Sequence, residues 1–399
     1  MIKWKKLRKQ IKPYRFTIAM TALFVCLIAI LLMFKLGGLT SGVSEQENNY
    51  IQSTASGRSI VNNPVYLAHK LPTYLVYKSG QNSIAFYRLV SVLWASVAVF
   101  ALWALLKQWY SAKIAIIGAW LFICSAWSLH VSRQATFDVL YLSFLPLLWG
   151  ILWSFRLQSR SKALLVMLAC TAFSLYVPGL ILLPVGIVLW KRKHLWSDFM
   201  ASSSKIKTIL VILLICSVVP ITYAAISSPK ILLNVLGLPV DMPGISSISN
   251  NFQELVKALS WSSNSTNPAN WISGMPLLDA FSLVMLILGI YSLRFNYKIG
   301  RSKVLIAYAI ISLSMIVAGS ISIVALLPFI YLHIAGGVAF MLQQWFVVFP
   351  RNPVARTFGA VLITCAVVGV SFFHIYSYFV AWPQVPETRS AFSSIDLVQ

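Results

Sequence analysis

The long apolar runs of this chain sort its charges into two groups. When the gaps between those runs are numbered alternately, one set takes 23 of the 32 lysines and arginines but, of the acids, only Asp198. The other set takes the remaining bases and every other acid, so it is close to neutral. Basic loops held in the cytoplasm give a polytopic membrane protein this asymmetry. Lipid requires every backbone polar group to be satisfied internally, so the runs are expected to be helices. The near-neutral outer side holds almost all the carboxylates, and chemistry is expected there.

Composition points the same way. The chain is 59% hydrophobic and 10% charged, where a soluble domain carries roughly 25% charged residues. The net charge of +23 does not indicate nucleic acid, because the bases sit in short loops beside the apolar runs, where they set orientation. Cys26, Cys124, Cys170, Cys216 and Cys365 all fall within apolar runs. None forms a CxxC or a Cys/His cluster, which argues against zinc and against a disulfide framework. The chain lacks GxxxxGK[ST], HExxH and GxSxG motifs, so no nucleotide-binding domain is expected. An activated substrate would then come from the lipid or from the outer aqueous space.

Eleven spans account for the pattern, with the N-terminus inside and the C-terminus outside. A basic segment, 1–15, precedes a single transmembrane domain over 16–380 and a short outer tail, 381–399. The first run, about 16–36, exceeds the ~7–15 residues of a signal-peptide core and reads as an uncleaved anchor. The later spans are 84–106, 114–129, 138–155, 208–226, 276–293, 304–320, 322–346 and 357–380. The stretch 163–190 is basic at both ends and broken at Val177-Pro178-Gly179. An interior proline removes a helix hydrogen bond, so this stretch is expected to form two short helices meeting at the outer face. The outer loops are about 37–82, 129–138 and 227–275. Within the last, Asn251 to Leu259 suits a short interfacial helix, and Asn264-Ser265-Thr266 fits a glycosylation sequon.

Two outer segments carry the candidate chemistry. The first reads Ser44-Glu45-Gln46-Glu47-Asn48-Asn49-Tyr50, a carboxylate pair just beyond the first span. A partly desolvated carboxylate there could take a proton from an incoming hydroxyl. Arg58, His69, Lys70 and Lys78 follow, donors suited to a phosphate. The second segment, Ser132-Arg133-Gln134-Ala135-Thr136-Phe137-Asp138, is expected to turn both Arg133 and Asp138 to the outer surface.

The order of these features resembles the membrane-embedded GT-C glycosyltransferases, in particular the family of the protein O-mannosyltransferases and the aminoarabinose transferase of lipid A. The resemblance rests on Glu45 and Glu47 with Tyr50, on Asn63-Pro64, Pro72 and Arg88-Leu89, on Ser132-Arg133 with Asp138, and on Tyr176-Val177-Pro178-Gly179. It covers roughly residues 37–180. It implies an inverting transferase at the outer face of a bacterial or archaeal plasma membrane, with a long first outer loop. The donor would be a sugar linked to polyprenyl phosphate; the acceptor (glycan, lipid or protein) is left open. Membrane lipids are the other partners, and nucleic acid is not one.

The family pattern is Asp-Glu with a tyrosine three residues after the Glu. Tyr50 aligns Glu47 with the Glu and puts Gln46 where the Asp stands, and Gln cannot take a proton. The base is therefore expected to be Glu47, with Glu45 next. The family's basic residue near a Tyr-x-x-Pro motif in the final spans has no counterpart around Leu327 to His333. Phosphate binding would fall on Arg133, Lys70, Lys78 or Arg58, with His69, Tyr50 and Asp138 completing the site. No cofactor is required in this branch; a divalent cation held by Asp138 with Glu45 or Glu47 is the variant. Two other classes fit an apolar bundle: a lipid or solute transporter, and an inactive GT-C homologue, to which Gln46 points. Transporters tend to carry ionisable residues near the midplane, and the middles of these spans are almost free of charge.

Overall fold

The computed structural model describes residues 15–40, 42–81, 83–260 and 268–392, and among these it contains helices and turns but no strand. The sequon at Asn264, the basic segment before residue 15 and the tail beyond residue 392 lie outside the described residues. In chain order the first helices are α1 (Arg15–Met33), α2 (Glu45–Thr54), α3 (Gly57–Asn62), α4 (Leu67–Lys78), α5 (Ile84–Trp109), α6 (Ala112–Cys124) and α7 (Ala126–Arg133). A 3-10 turn, Phe137–Ser143, runs into α8 (Phe144–Ser154), followed by α9 (Arg160–Ser174), α10 (Leu182–Trp190) and α11 (Arg192–Met200). Next come α12 (Ser204–Ser227), α13 (Lys230–Leu236), α14 (Ile245–Ser260), α15 (Ala280–Asn296) and α16 (Gly300–Val317). After a 3-10 turn, Ile323–Leu326, come α17 (Leu327–Val348), α18 (Pro353–Tyr376) and α19 (Pro386–Phe392).

Each of the eleven apolar stretches contains helix, but the number of spans differs from the expectation. Among the described residues six helices are long and apolar enough to cross a membrane, or seven if α6 and α7, bent by 65°, count as one. Several other stretches give shorter helices. α9 has 15 residues, about 22 Å of helix at ~1.5 Å per residue, against a hydrocarbon core of about 30 Å. The chain is a multi-pass membrane protein with six or seven full-length crossings among the described residues, against the eleven expected. The break at Val177-Pro178-Gly179 separates α9 from α10, and α14 extends the helix expected at Asn251 to Leu259 in both directions.

Packing in lipid depends on close fit between helices, because lipid tails are as apolar as the side chains themselves. α5 buries Ala95, Ala98, Val99, Leu102, Leu105 and Leu106 at the centre of the bundle. α15 and α17 touch backbone to backbone. A Cβ on Gly289 would overlap the carbonyl of His333, and one on Gly337 would overlap that of Met285.

The outer loops of the sequence reading converge on one end of this bundle. Gln134 donates to the Ala269 carbonyl (2.6 Å), Asn270 to Gln46 (2.9 Å), and the Trp382 indole to the Pro268 carbonyl (3.0 Å). The bend at Ser125 directs α7 into this end. Ser125 closes α6 with an extended backbone and caps α7 by accepting from the Ser128 amide (3.1 Å).

Candidate active site

Ser44 starts the site by capping α2. Its hydroxyl accepts from the Glu47 amide while the Glu47 carboxylate accepts from the Ser44 amide, a reciprocal capping box that fixes the Glu47 rotamer. Glu47 then has no exposure. Arg88 Nε and Nη2 each donate to it at 2.8 Å, and the Ala135 amide donates to it at 2.8 Å. Burial opposes its charge, but the Arg88 guanidinium and these hydrogen bonds outweigh that and hold its carboxyl below the usual range. Glu47 was the first choice for general base in the sequence reading. Its oxygens are instead occupied by α5, by the 134–138 turn and by its own cap, so it welds three segments together. It lines neither of the two polar cavities described below.

Glu45, two residues earlier, is exposed at the start of α2. It borders a cavity of about 720 Å³ together with Gln46, Asn49, Tyr50, Thr136 and Phe137. Thr136 also borders a second polar cavity of about 400 Å³, which contains Asp138, His130, Glu254, Asn270 and Trp271. The Gln46–Asn270 hydrogen bond joins a residue of each lining. A third, apolar cavity of about 260 Å³ runs between α10 and α16, from Tyr141 and Ile321 to Trp190 and Lys303. It adjoins the second through the two 3-10 turns: Asp138 and Val324 face one, Tyr141 and Ala325 the other.

The proposed phosphate donors scatter. Arg133 and Asp138 do not converge. The Arg133 guanidinium donates at 2.5 Å to the carbonyls of Leu31 and Phe34, stacks on Tyr378 and Phe379, and so closes the free end of α1. Its expected place at the surface beside Asp138 is thus corrected, and the reason is local: a helix end leaves carbonyls that a cation can satisfy. His69 is fully buried between the hydroxyls of Tyr50 (2.8 Å) and Ser91 (2.9 Å). Burial lowers its pKa to about 3, so it is a neutral node between α2, α4 and α5 rather than a phosphate ligand. Tyr50 is held by that bond and by an edge contact with Phe137.

Arg58 is exposed on α3, and Lys78 is exposed on α4 over the Tyr74 ring. Lys70 is buried, its ammonium donating at 2.8 Å to the Asn63 carbonyl. Burial lowers its pKa to about 8, and among the described residues no carboxylate pairs with it. None of these cations lines the two polar cavities. His333 bonds the Phe329 carbonyl of its own helix (2.8 Å). Among the described residues no group of three His, Cys, Asp or Glu side chains could hold a metal ion. Glu47, one of the acids named for a divalent cation, is taken by Arg88.

In the sequence Arg88 carries only part of the resemblance, and nothing there singles out His130, Glu254, Asn270 or Trp271. A buried arginine near a span end is a signal for a paired acid. The Asn270-Trp271 pair lay in a loop read as irregular, and no local pattern set it apart.

No protein-family model matches the sequence, and no curated protein matches it. Solved structures do. The crystal structure of ArnT from Cupriavidus metallidurans in the apo state aligns with a TM-score of 0.55 at 15% identity, over 94% of this chain and 75% of that one. The chain shares the ArnT fold. The same protein bound to undecaprenyl phosphate aligns with a TM-score of 0.50 at 14% identity, over the same shares of the two chains. The likeness in fold thus extends beyond residues 37–180 to nearly the whole chain.

Proposed function

We propose that this protein is an inverting glycosyltransferase that moves a sugar from a polyprenyl-phosphate donor to an acceptor hydroxyl. The observation that carries the reading is the contact between an apolar slot and acid-lined cavities at one end of an ArnT-like bundle. ArnT has been solved with undecaprenyl phosphate bound. A prenyl tail fits the slot between α10 and α16, where Leu183, Ile187, Val304 and Ile311 supply apolar walls. Glu45 is the general base in place of Glu47, because it is the glutamate of the pair that borders open space. It takes the acceptor proton as the acceptor oxygen bonds to the sugar C1; the bond from C1 to the phosphate oxygen breaks and the lipid phosphate leaves.

Lys70 is assigned to that phosphate although it lines none of the three cavities, because both terminal nitrogens of Arg133 are committed to the end of α1 and Arg58 and Lys78 are exposed. A buried ammonium with only a carbonyl partner gains most from an arriving anion. The reading uses no metal or other cofactor. The charge asymmetry of the loops supports an active site on the outer face of the membrane.

The test is turnover of undecaprenyl-phosphate sugars by the full chain in nanodiscs, followed as release of undecaprenyl phosphate. Glu45→Gln should lower turnover by about 10²–10⁴-fold without changing the melting temperature, while donor binding persists. Undiminished turnover would remove Glu45 from the mechanism. The second reading, an inactive homologue, is favoured by Gln46, whose amide stands at the family's Asp position and accepts from Asn270. It predicts donor binding with no release at all.

A further inference from the structure

The cavity on the far side of the Gln46–Asn270 bond from Glu45 has no task in the mechanism above. Two of its lining residues carry buried polar atoms with no partner among the described residues, Nδ1 of His130 and Oδ1 of Asn270. Neither can easily turn away. The Asn270 amide is fixed because its Nδ2 donates to Gln46 at 2.9 Å. The His130 ring is held by Trp271, Tyr378 and Trp382, with centroids 5.2, 4.7 and 4.5 Å away. The Trp271 indole is in turn anchored on the Met275 carbonyl at 2.8 Å. Buried groups held without partners are costly and call for an explanation.

The chemistry of the lining narrows what would satisfy them. Asp138, Glu254 and Asn270 present oxygen acceptors, Trp271 presents a flat aromatic wall, and among the described residues no lysine or arginine lines the cavity. A phosphate would find no counter-charge there. A ring bearing several hydroxyls would donate to the acceptors and lay its C–H face on the indole. The position agrees: Asp138 is one 3-10 turn from Tyr141 of the apolar slot, and Thr136 is shared with the Glu45 cavity.

We propose that the cavity lined by His130, Asp138, Asn270 and Trp271 holds the sugar ring of the lipid-linked donor. Asp138 and Asn270 accept its hydroxyls and select among sugars. This rests on the transferase reading. Tail, sugar and acceptor then occupy three successive compartments, with the acceptor reaching C1 from the side opposite the departing phosphate.

The experiment measures binding rather than turnover. Tryptophan fluorescence of the full chain in nanodiscs would be titrated with undecaprenyl phosphate and with its mannosyl, glucosyl and arabinosyl esters. At least one ester should bind about tenfold or more tighter than the bare lipid. Asn270→Ala and the near-isosteric Asp138→Asn should each abolish most of that preference, with bare-lipid affinity unchanged within about twofold. Variants that keep the full preference would overturn the assignment and leave the transferase reading standing. So would a wild type that binds the bare lipid but no ester more tightly. A wild type that binds neither bare lipid nor ester would sink both.

Discussion

Removing either partner of the Glu47–Arg88 pair should destabilise the protein far more than removing both. Neither side chain is more than 5% exposed, and the guanidinium meets the carboxylate through two bonds of 2.8 Å. Breaking a buried pair leaves a charge in a low-dielectric site and costs about 3–5 kcal/mol. Glu47→Ala also strands the Ala135 amide, adding about 1–3 kcal/mol. Arg88→Ala leaves the carboxylate with its amide donors but no cation, and releases the Leu36 carbonyl from a 3.0 Å bond. Replacing both by Glu47→Leu and Arg88→Met removes both charges and keeps volume, which is often close to neutral. A double-mutant cycle by reversible denaturant unfolding in micelles should therefore give a coupling of about 3 kcal/mol or more. The pH dependence has a defined sign. The folded pKa of Glu47 is lowered, so its contribution is full above the unfolded carboxyl value and is lost as pH falls through the folded one. A coupling below about 1 kcal/mol would refute the weld. So would Glu47→Gln losing turnover with unchanged stability, the behaviour of a base.

Two further outcomes follow from single residues. Lys70, with its pKa lowered to about 8, is charged below that pH. Affinity for undecaprenyl phosphate should fall by up to about tenfold per pH unit above 8, and Lys70→Met should flatten the profile. Unliganded stability should move oppositely, rising between about pH 8 and 10.5 as the unfolded state retains the proton the folded one has lost. Gly337→Val should separate α15 from α17, because its side chain would occupy the Met285 carbonyl position. Extraction into mild detergent should then yield aggregated protein, and a monodisperse, fully stable variant would contradict the close approach.

Helix content, the break at Val177-Pro178-Gly179 and the segments that meet at one end of the bundle as candidates for chemistry were legible in the sequence alone. They depend on local quantities: apolar run length, proline, and charge counted loop by loop. The order of acid pair, tyrosine and Ser-Arg-x4-Asp turn was enough to point to an ArnT-like fold. Roles within the site were not legible, because they depend on which residue meets which. Glu45 and Glu47 are two positions apart and chemically identical, yet one faces a cavity and the other is sealed by Arg88, 41 residues later. Arg133 and Asp138 share a turn, yet one caps α1 and the other enters a pocket. Asn270 became a candidate only when the last long loop folded back onto Gln46, 224 residues away. A chain fixes its helices through neighbours at spacings of three and four. Burial and pairing of a charge are set by segments distant in sequence, and these only the tertiary structure brings together.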